Sequence, residues 1–219
     1  MRTLGAIAVF GALMLPVAAQ ASVIANGQFG STCASSSFCS YNAGNSTDIP
    51  SWTVINGGSP TDSNGSVDLI TGYWQAPPGG GNSIDLDGNA FGGVSQTFAT
   101  IAGQQYTVSF FLSGNPDGGP PTRDLGVSTG FASQTYSYPV TGNKTSMDWL
   151  PNTFTFVALN ALTTLSFTSL DSFSTSPGPF GPVLGNVDVR ETPEPGTLAL
   201  IAVALLGLLG LGTARRRAA

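Results

Sequence analysis

The sequence predicts an all-β body, an antiparallel β-sandwich. Two observations carry that prediction. Short runs of β-branched and aromatic residues alternate with polar ones at period two, separated by Gly, Asn, Asp and Pro clusters such as Asn115-Pro-Asp-Gly-Gly-Pro-Pro. Between Ser22 and Thr192 no amphipathic helical pattern occurs that could carry the crossovers of a parallel sheet.

In chain order, residues 1–21 read as a secretory signal peptide. Arg2 supplies the basic start, Leu4 to Val17 the apolar stretch, and Ala19-Gln20-Ala21 a signal-peptidase cleavage site after Ala21. The body, 22–192, holds nine candidate strands: Val67–Thr71, Ser83–Leu86, Val94–Ala99, Tyr106–Leu112, Leu125–Ser128, Gln134–Tyr138, Thr153–Leu159, Leu165–Leu170 and Val183–Val189. Alternation puts Tyr106, Val108 and Phe110 on one face, and Phe154, Phe156 and Ala158 together on another strand. Trp52, in Ser-Trp-Thr-Val after Pro50, reads as a core residue. The last element, Thr197 to Ala214, is an uncharged run of 18 residues, followed directly by Arg215, Arg216 and Arg217. At 1.5 Å per helical residue it reaches about 27 Å, enough for one pass through a thin bilayer core, with the arginines held on the cytoplasmic side.

Composition narrows the chemistry. The chain of 219 residues contains no His, and only 9% of it is charged. Ser–His–Asp and Cys–His catalysis and His-ligated zinc are excluded. From Ser22 to Arg190 three cations (Arg123, Lys144, Arg190) face ten aspartates, so the body does not bind nucleic acid by counterion release. Thirteen Phe and 41% apolar residues supply a core despite 29 Gly and 15 Pro.

Two resemblances follow from ordered motifs. Pro193-Glu194-Pro195, the apolar span 197–214 and the terminal arginines together (193–217) resemble the PEP-CTERM sorting signal. That resemblance implies recognition by exosortase, a transient inner-membrane anchor, cleavage near the triplet, and delivery to the cell surface or extracellular matrix of a Gram-negative-type bacterium. In the body, Val23-Ile-Ala-Asn-Gly-Gln-Phe, Ser83-Ile-Asp-Leu-Asp-Gly, Gly93-Val-Ser-Gln-Thr-Phe, Phe111-Leu-Ser-Gly-Asn-Pro and Gly181-Pro-Val-Leu-Gly-Asn-Val-Asp-Val occur in order. This pattern is similar to the choice-of-anchor C family, related to a plant cell-wall family of galactose-binding-like jelly rolls. Related modules often carry Glu after the Asn-Gly-x-Phe motif, where this chain has Gly30. The resemblance implies one structural Ca²⁺, with Asn26 and Asp188 as candidate ligands.

Cys33 and Cys39 in an exported chain read as a structural disulfide. Asp85-Leu-Asp-Gly-Asn has a calcium-loop flavour but lacks the rest of an EF-hand, so it reads as a strand entering an Asp-Gly turn, with Asp85 and Asp87 on the face opposite Ile84 and Leu86. Sugars stack their C–H faces on flat rings while carboxylates and amides bind their hydroxyls. On that basis Tyr73, Trp74 and Trp149 are candidate carbohydrate contacts, and for both tryptophans core filling stays open beside it.

The expected function is therefore an exported jelly roll that binds envelope polysaccharide or exopolysaccharide. The alternatives are a structural biofilm matrix protein without specific ligand and a glycan hydrolase working through paired aspartates. No catalytic residue is assigned, and the chain is read as non-enzymatic.

Overall fold

The computed structural model describes residues 20–31, 33–57, 64–171 and 178–193. The stretch before Gln20 read as a signal peptide, Glu194, Pro195 and the apolar run 197–214 lie outside the described residues. The described residues form eleven strands and no helix, and thus no helix long and apolar enough to cross a membrane.

The strands are β1 (Phe38–Asn42), β2 (Thr53–Asn56), β3 (Ser66–Ile70), β4 (Ser83–Asp85), β5 (Gly92–Ala99), β6 (Gln105–Gly114), β7 (Thr122–Ser128), β8 (Ser133–Pro139), β9 (Leu150–Val157), β10 (Leu162–Ser169) and β11 (Pro182–Glu191). They pack as two antiparallel sheets, a six-stranded one in the order β1-β3-β4-β11-β6-β9 and a five-stranded one in the order β2-β5-β10-β7-β8. The chain is a jelly-roll β-sandwich. All nine strands read from alternation are present. The two additional strands are β1 and β2. β1 is an edge strand with no buried residue, and β2 is only four residues long, so neither shows the two-sided pattern that marks a central strand.

Period two decides what is buried. Tyr106, Val108, Phe110 and Leu112 of β6, Phe154 and Phe156 of β9, and Leu184, Val187 and Val189 of β11 enter the main core between the sheets. Trp52 sits there at 1% exposure, its indole N–H donating to the Asn26 carbonyl at 2.9 Å. A second cluster comprises Ile70, Trp74, Met147 and Val183, with Tyr73 and Trp149 against it. Ile70 and Val183 directly adjoin the inward Leu69 and Leu184, so this cluster lies on the outer face of the six-stranded sheet. Loops thus roof one part of that face, and the remainder, over β11, β6 and β9, stays open.

Arg123 was unremarkable in the sequence, yet its side chain is fully buried. It donates to the carbonyls of Asn115 at 3.2 Å, Gly118 and Pro120, and its Nε lies 3.9 Å from Asp171 Oδ2. The guanidinium fork ties down the proline-rich β6–β7 loop.

Candidate functional site

The open part of the outer face is a groove of about 500 Å³. Alternation builds it. Positions between the inward residues of β6 present Ser109 and Phe111, those of β9 present Pro151 and Thr153, and those of β11 present Asp188 and Arg190; Ser22 and Gln28 close the side.

A β-bulge shapes one end. The β11–β6 register shifts between Gly185 and Asp188, and Asn186 takes a left-handed backbone at φ 46°, a conformation that Asn tolerates better than most residues. Its Nδ2 donates to the Pro78 carbonyl at 2.8 Å, and Gln28 Nε2 donates to the Gly79 carbonyl at 3.1 Å. These two amides fasten the Pro77–Gly81 loop as a rim. Beside the bulge, a Cβ on Gly185 would lie 2.6 Å from Pro77 Cβ and 3.3 Å from Trp149 Cζ3. Only glycine lets proline and indole lie so close to the strand.

Chemically, the groove offers a half-exposed ring, Phe111, next to polar groups of both hydrogen-bonding senses. Asp188 Oδ2 accepts from Arg190 Nε at 2.5 Å, leaving carboxylate and guanidinium edges toward solvent. Asp188 is the one carboxylate among the described lining residues.

The residues singled out in the sequence fall into three places. Tyr73, Trp74 and Trp149 do come together, but in the loop cluster rather than as groove lining. Trp74 is a packing residue at 7% exposure, its indole N–H donating to Ser83 Oγ at 3.0 Å. A ring so covered cannot stack on a sugar, which corrects its assignment as a ligand contact. The Tyr73 hydroxyl donates to Asp117 Oδ2 at 2.7 Å and accepts from Lys144 Nζ at 2.6 Å. The tyrosine and then Asp117 raise the Lys144 pKa. Trp149 is half-buried, and its indole N–H is buried without a hydrogen-bond partner.

Asn26 and Asp188 do not fit a calcium site in this arrangement. Asn26 has a left-handed backbone at φ 52°, and its Nδ2 donates to the carbonyls of Gly30 at 2.9 Å and Pro50 at 2.7 Å. Its Oδ1 accepts the Gly30 N–H at 2.7 Å, and its own carbonyl takes the Trp52 indole. An amide that points N–H groups at carbonyls is arranged to clamp a loop, whereas a cation needs oxygens pointing inward. Asp188 is engaged with Arg190. Among the described residues no three His, Cys, Asp or Glu side chains converge as a metal site.

Cys33 and Cys39 are joined in a disulfide, with Cα atoms 6.0 Å apart, at the entry to β1. Asp85 ends β4, and Asp87 bridges to Phe91 across the turn before β5. Both are 1% exposed. Asp85 Oδ1 accepts the backbone N–H groups of Asp87 and Gly181, each at 3.0 Å, and Oδ2 accepts from Asn115 Nδ2 at 2.7 Å. A Cβ on Gly181 would lie 2.6 Å from Asp87 Cγ. Burial, and then the neighbouring Asp87, push the Asp85 carboxyl well above the usual carboxylate range. Ala21 and Pro193 are exposed near the two limits of the described residues.

Phe111 and Asn186 fall within ordered motifs of the family resemblance but were assigned no ligand role, and Arg190 lies outside them. One signal pointed to Phe111: it is a large apolar residue at an outward position between inward Phe110 and Leu112.

Comparison with known proteins adds the following. The model of a family described as a protein of unknown function, DUF642, matches residues 22–190. A curated relative, halomucin of Haloquadratum walsbyi, is 30% identical over 190 residues, covering 81% of this chain and 2% of its own length. The chain thus spans a small fraction of the curated relative it matches. Among solved structures, a family 35 carbohydrate-binding module from Clostridium thermocellum has 13% identity and a TM-score of 0.45, over 71% of this chain and 99% of that one. A carbohydrate-binding module of Cellvibrio mixtus lichenase 5A, solved with cellotriose, has 15% identity and a TM-score of 0.38, over 64% and 98%.

Proposed function

The chain belongs to the DUF642 family, and from that premise we propose that it is an exported carbohydrate-binding protein whose ligand lies in the β11–β6–β9 groove. The observation that carries this reading is the placement of the Phe111 ring beside the Asp188–Arg190 pair in an open trough. An apolar ring takes a C–H face of a pyranose, Asp188 accepts from hydroxyls, and Arg190 with the amide of Gln28 donates to ring and hydroxyl oxygens. A trough on a sheet face suits a stretch of polysaccharide chain. The reading is of binding without turnover; it is supported by the use of two carboxyls flanking one bond in glycosidases, where Asp188 is the one carboxylate among the described lining residues.

The ends of the chain complete the proposal. The signal peptide exports the body. The PEP-CTERM-like tail, in a choice-of-anchor C arrangement, holds it in the inner membrane until exosortase cleaves near Pro193-Glu194-Pro195, and the product joins the cell surface or extracellular polysaccharide matrix.

A glycan array followed by calorimetry on the body 22–192 tests the binding. Micromolar to millimolar affinity for a neutral or acidic polysaccharide, lost in Phe111→Ala, is the expected result. Silence across the array overturns it. Mass spectrometry of the native product tests the sorting, which fails if the mature chain still carries Leu198 to Arg217.

A further inference from the structure

Three turns meet at the end of the sandwich where β11 finishes. The β5–β6 turn and the β9–β10 turn are laced together by the Thr100 N–H donating to the Ala161 carbonyl at 2.9 Å, Gly103 N–H to Ala158 at 2.8 Å, and Ala158 N–H to Gln104 at 2.9 Å. The β7–β8 turn joins them through Phe131, whose ring lies 6.0 Å from that of Phe156. The large side chains these turns expose are aliphatic: Ile101 is 62% exposed, Leu159 61%, Leu162 62% and Val157 47%, beside the uncharged Asn160 and Gln105. Segments 99–107, 128–134 and 153–170 contain no Asp, Glu, Lys or Arg. Of the six exposed large aliphatic residues among the described ones, four gather on these two laced turns, while Leu150 at 47% and Leu170 at 38% lie at the opposite ends of β9 and β10, so the turns form an apolar tip.

The chain leaves the sandwich at this same tip. The Thr192 N–H donates to the Gln105 carbonyl at 2.8 Å, Gln104 Nε2 donates to the Thr192 carbonyl at 2.8 Å, and the Gln104 N–H donates to the Ile101 carbonyl at 3.0 Å. From Pro193 the sequence reaches Thr197, the first residue of the uncharged run, in four steps. Even fully extended, four residues span only about 14 Å. If that run enters a bilayer, its tether is too short to hold the tip clear of the surface.

We propose that this end of the sandwich is a lipid-docking tip, with Ile101, Leu159 and Leu162 resting in the interfacial layer of the bilayer that holds the C-terminal run. The proposal rests on the membrane-anchor reading of that run. It names lipid hydrocarbon as the partner because the three turns carry no charged residue; the carboxylate beside them, Glu191 at the end of β11, is held by the Tyr106 hydroxyl at 3.4 Å, and among the described residues no cation stands there for a headgroup phosphate to recognise. Docking adds a second point of attachment to the C-terminal anchor and holds the body upright before cleavage; after cleavage the tip alone gives weak, reversible contact.

The test uses the full chain reconstituted in phosphatidylcholine nanodiscs. Both native cysteines are paired, so a bimane probe enters only at an added thiol, in Leu159→Cys, Leu162→Cys or, as a distant control, Asn89→Cys in the β4–β5 turn. The expected result is blue-shifted emission at 159 and 162, with quenching by nitroxide lipid about twofold or more stronger than at 89. Emission at 159 and 162 as water-like as at 89, while protease protection shows the tail embedded, overturns the tip and leaves the anchor standing. An unprotected tail overturns both. An equal blue shift in lipid-free protein that grows with concentration assigns the tip to self-association and overturns lipid docking. Adding Leu162→Ser to the Leu159→Cys chain should reduce its quenching, and an unchanged value also counts against the proposal.

Discussion

Asp188 and Arg190 stand two residues apart on one strand, both on the outer face of β11, with Oδ2 and Nε separated by 2.5 Å. Half-exposed Arg190 and Asp188 make a pair that water already screens, so the pair contributes little to folding. Its value lies in what it presents: a carboxylate edge and a guanidinium edge set side by side over the groove.

This separates two effects of mutation. Arg190→Ala should leave the melting temperature within a degree or two of the parent while weakening polysaccharide binding several-fold, roughly the scale of a lost hydrogen bond to a charged group. Phe111→Ala should weaken binding about tenfold or more, the equivalent of about 1.4 kcal/mol. Calorimetry beside thermal melts reads both. Loss of binding only together with loss of the fold would remove the groove from the account.

Asn26 is expected to matter to the fold and not to a metal. Asn26→Ala keeps an unfavourable left-handed backbone and removes the clamp on Gly30 and Pro50, a cost of about 2–3 kcal/mol. Asn26→Gly relieves the backbone and should recover part of that loss. Chelator and millimolar Ca²⁺ should leave the melting curve in place, since a ligand that binds only the folded state would have to raise it. A chelator-induced drop restored by Ca²⁺ would return calcium to the body.

What the sequence made legible follows from period two. Strands such as β6 and β9 bury one face and expose the other, so their ranges and inward residues could be read directly. β1 and β2 could not, because an edge strand and a four-residue strand impose no such pattern. The site was harder. Trp74 and Tyr73 looked like loop aromatics, and only tertiary packing, with Met147 and Val183 brought from distant segments, shows a roof over the sheet. The groove is made by outward residues of three strands that are neighbours in the order β11-β6-β9 yet far apart in the chain. The left-handed bend at Asn26 was legible only as an Asn-Gly pair, and the loop clamp its amide makes with Gly30 and Pro50 was not.

The Cys33–Cys39 disulfide closes a short loop, so reduction should cost the body about 2 kcal/mol by the chain-entropy relation. Chemical unfolding with and without reductant measures it. A loss as large as about 5 kcal/mol would mean that the bridge holds β1 and its neighbours in place rather than merely shortening the unfolded chain.

The pH dependence of stability rests on Asp85. Burial, with Asp87 beside it, raises its pKa well above the ordinary 3.8, and burial raises those of Asp171 and Asp68 too. A carboxyl with a raised folded pKa binds its proton more tightly in the folded chain than in the unfolded one. Its stabilising contribution is therefore complete below the unfolded value and is lost as pH climbs through the folded one. All three groups act in the same sense, so the body should grow more stable as pH falls from about 8 toward 5, a direction opposite to that of a protein held by exposed ion pairs. Asp85→Asn removes the largest contribution. It keeps an oxygen for the Asp87 and Gly181 N–H groups but turns an amide toward Asn115 Nδ2, so its absolute stability can move either way. The slope is the readout: melting temperature against pH should be flatter in Asp85→Asn than in the parent. Equal slopes, or a parent whose melting temperature falls steadily from pH 8 to 5, would mean that the Asp85 carboxyl is already ionised and solvated in the folded protein.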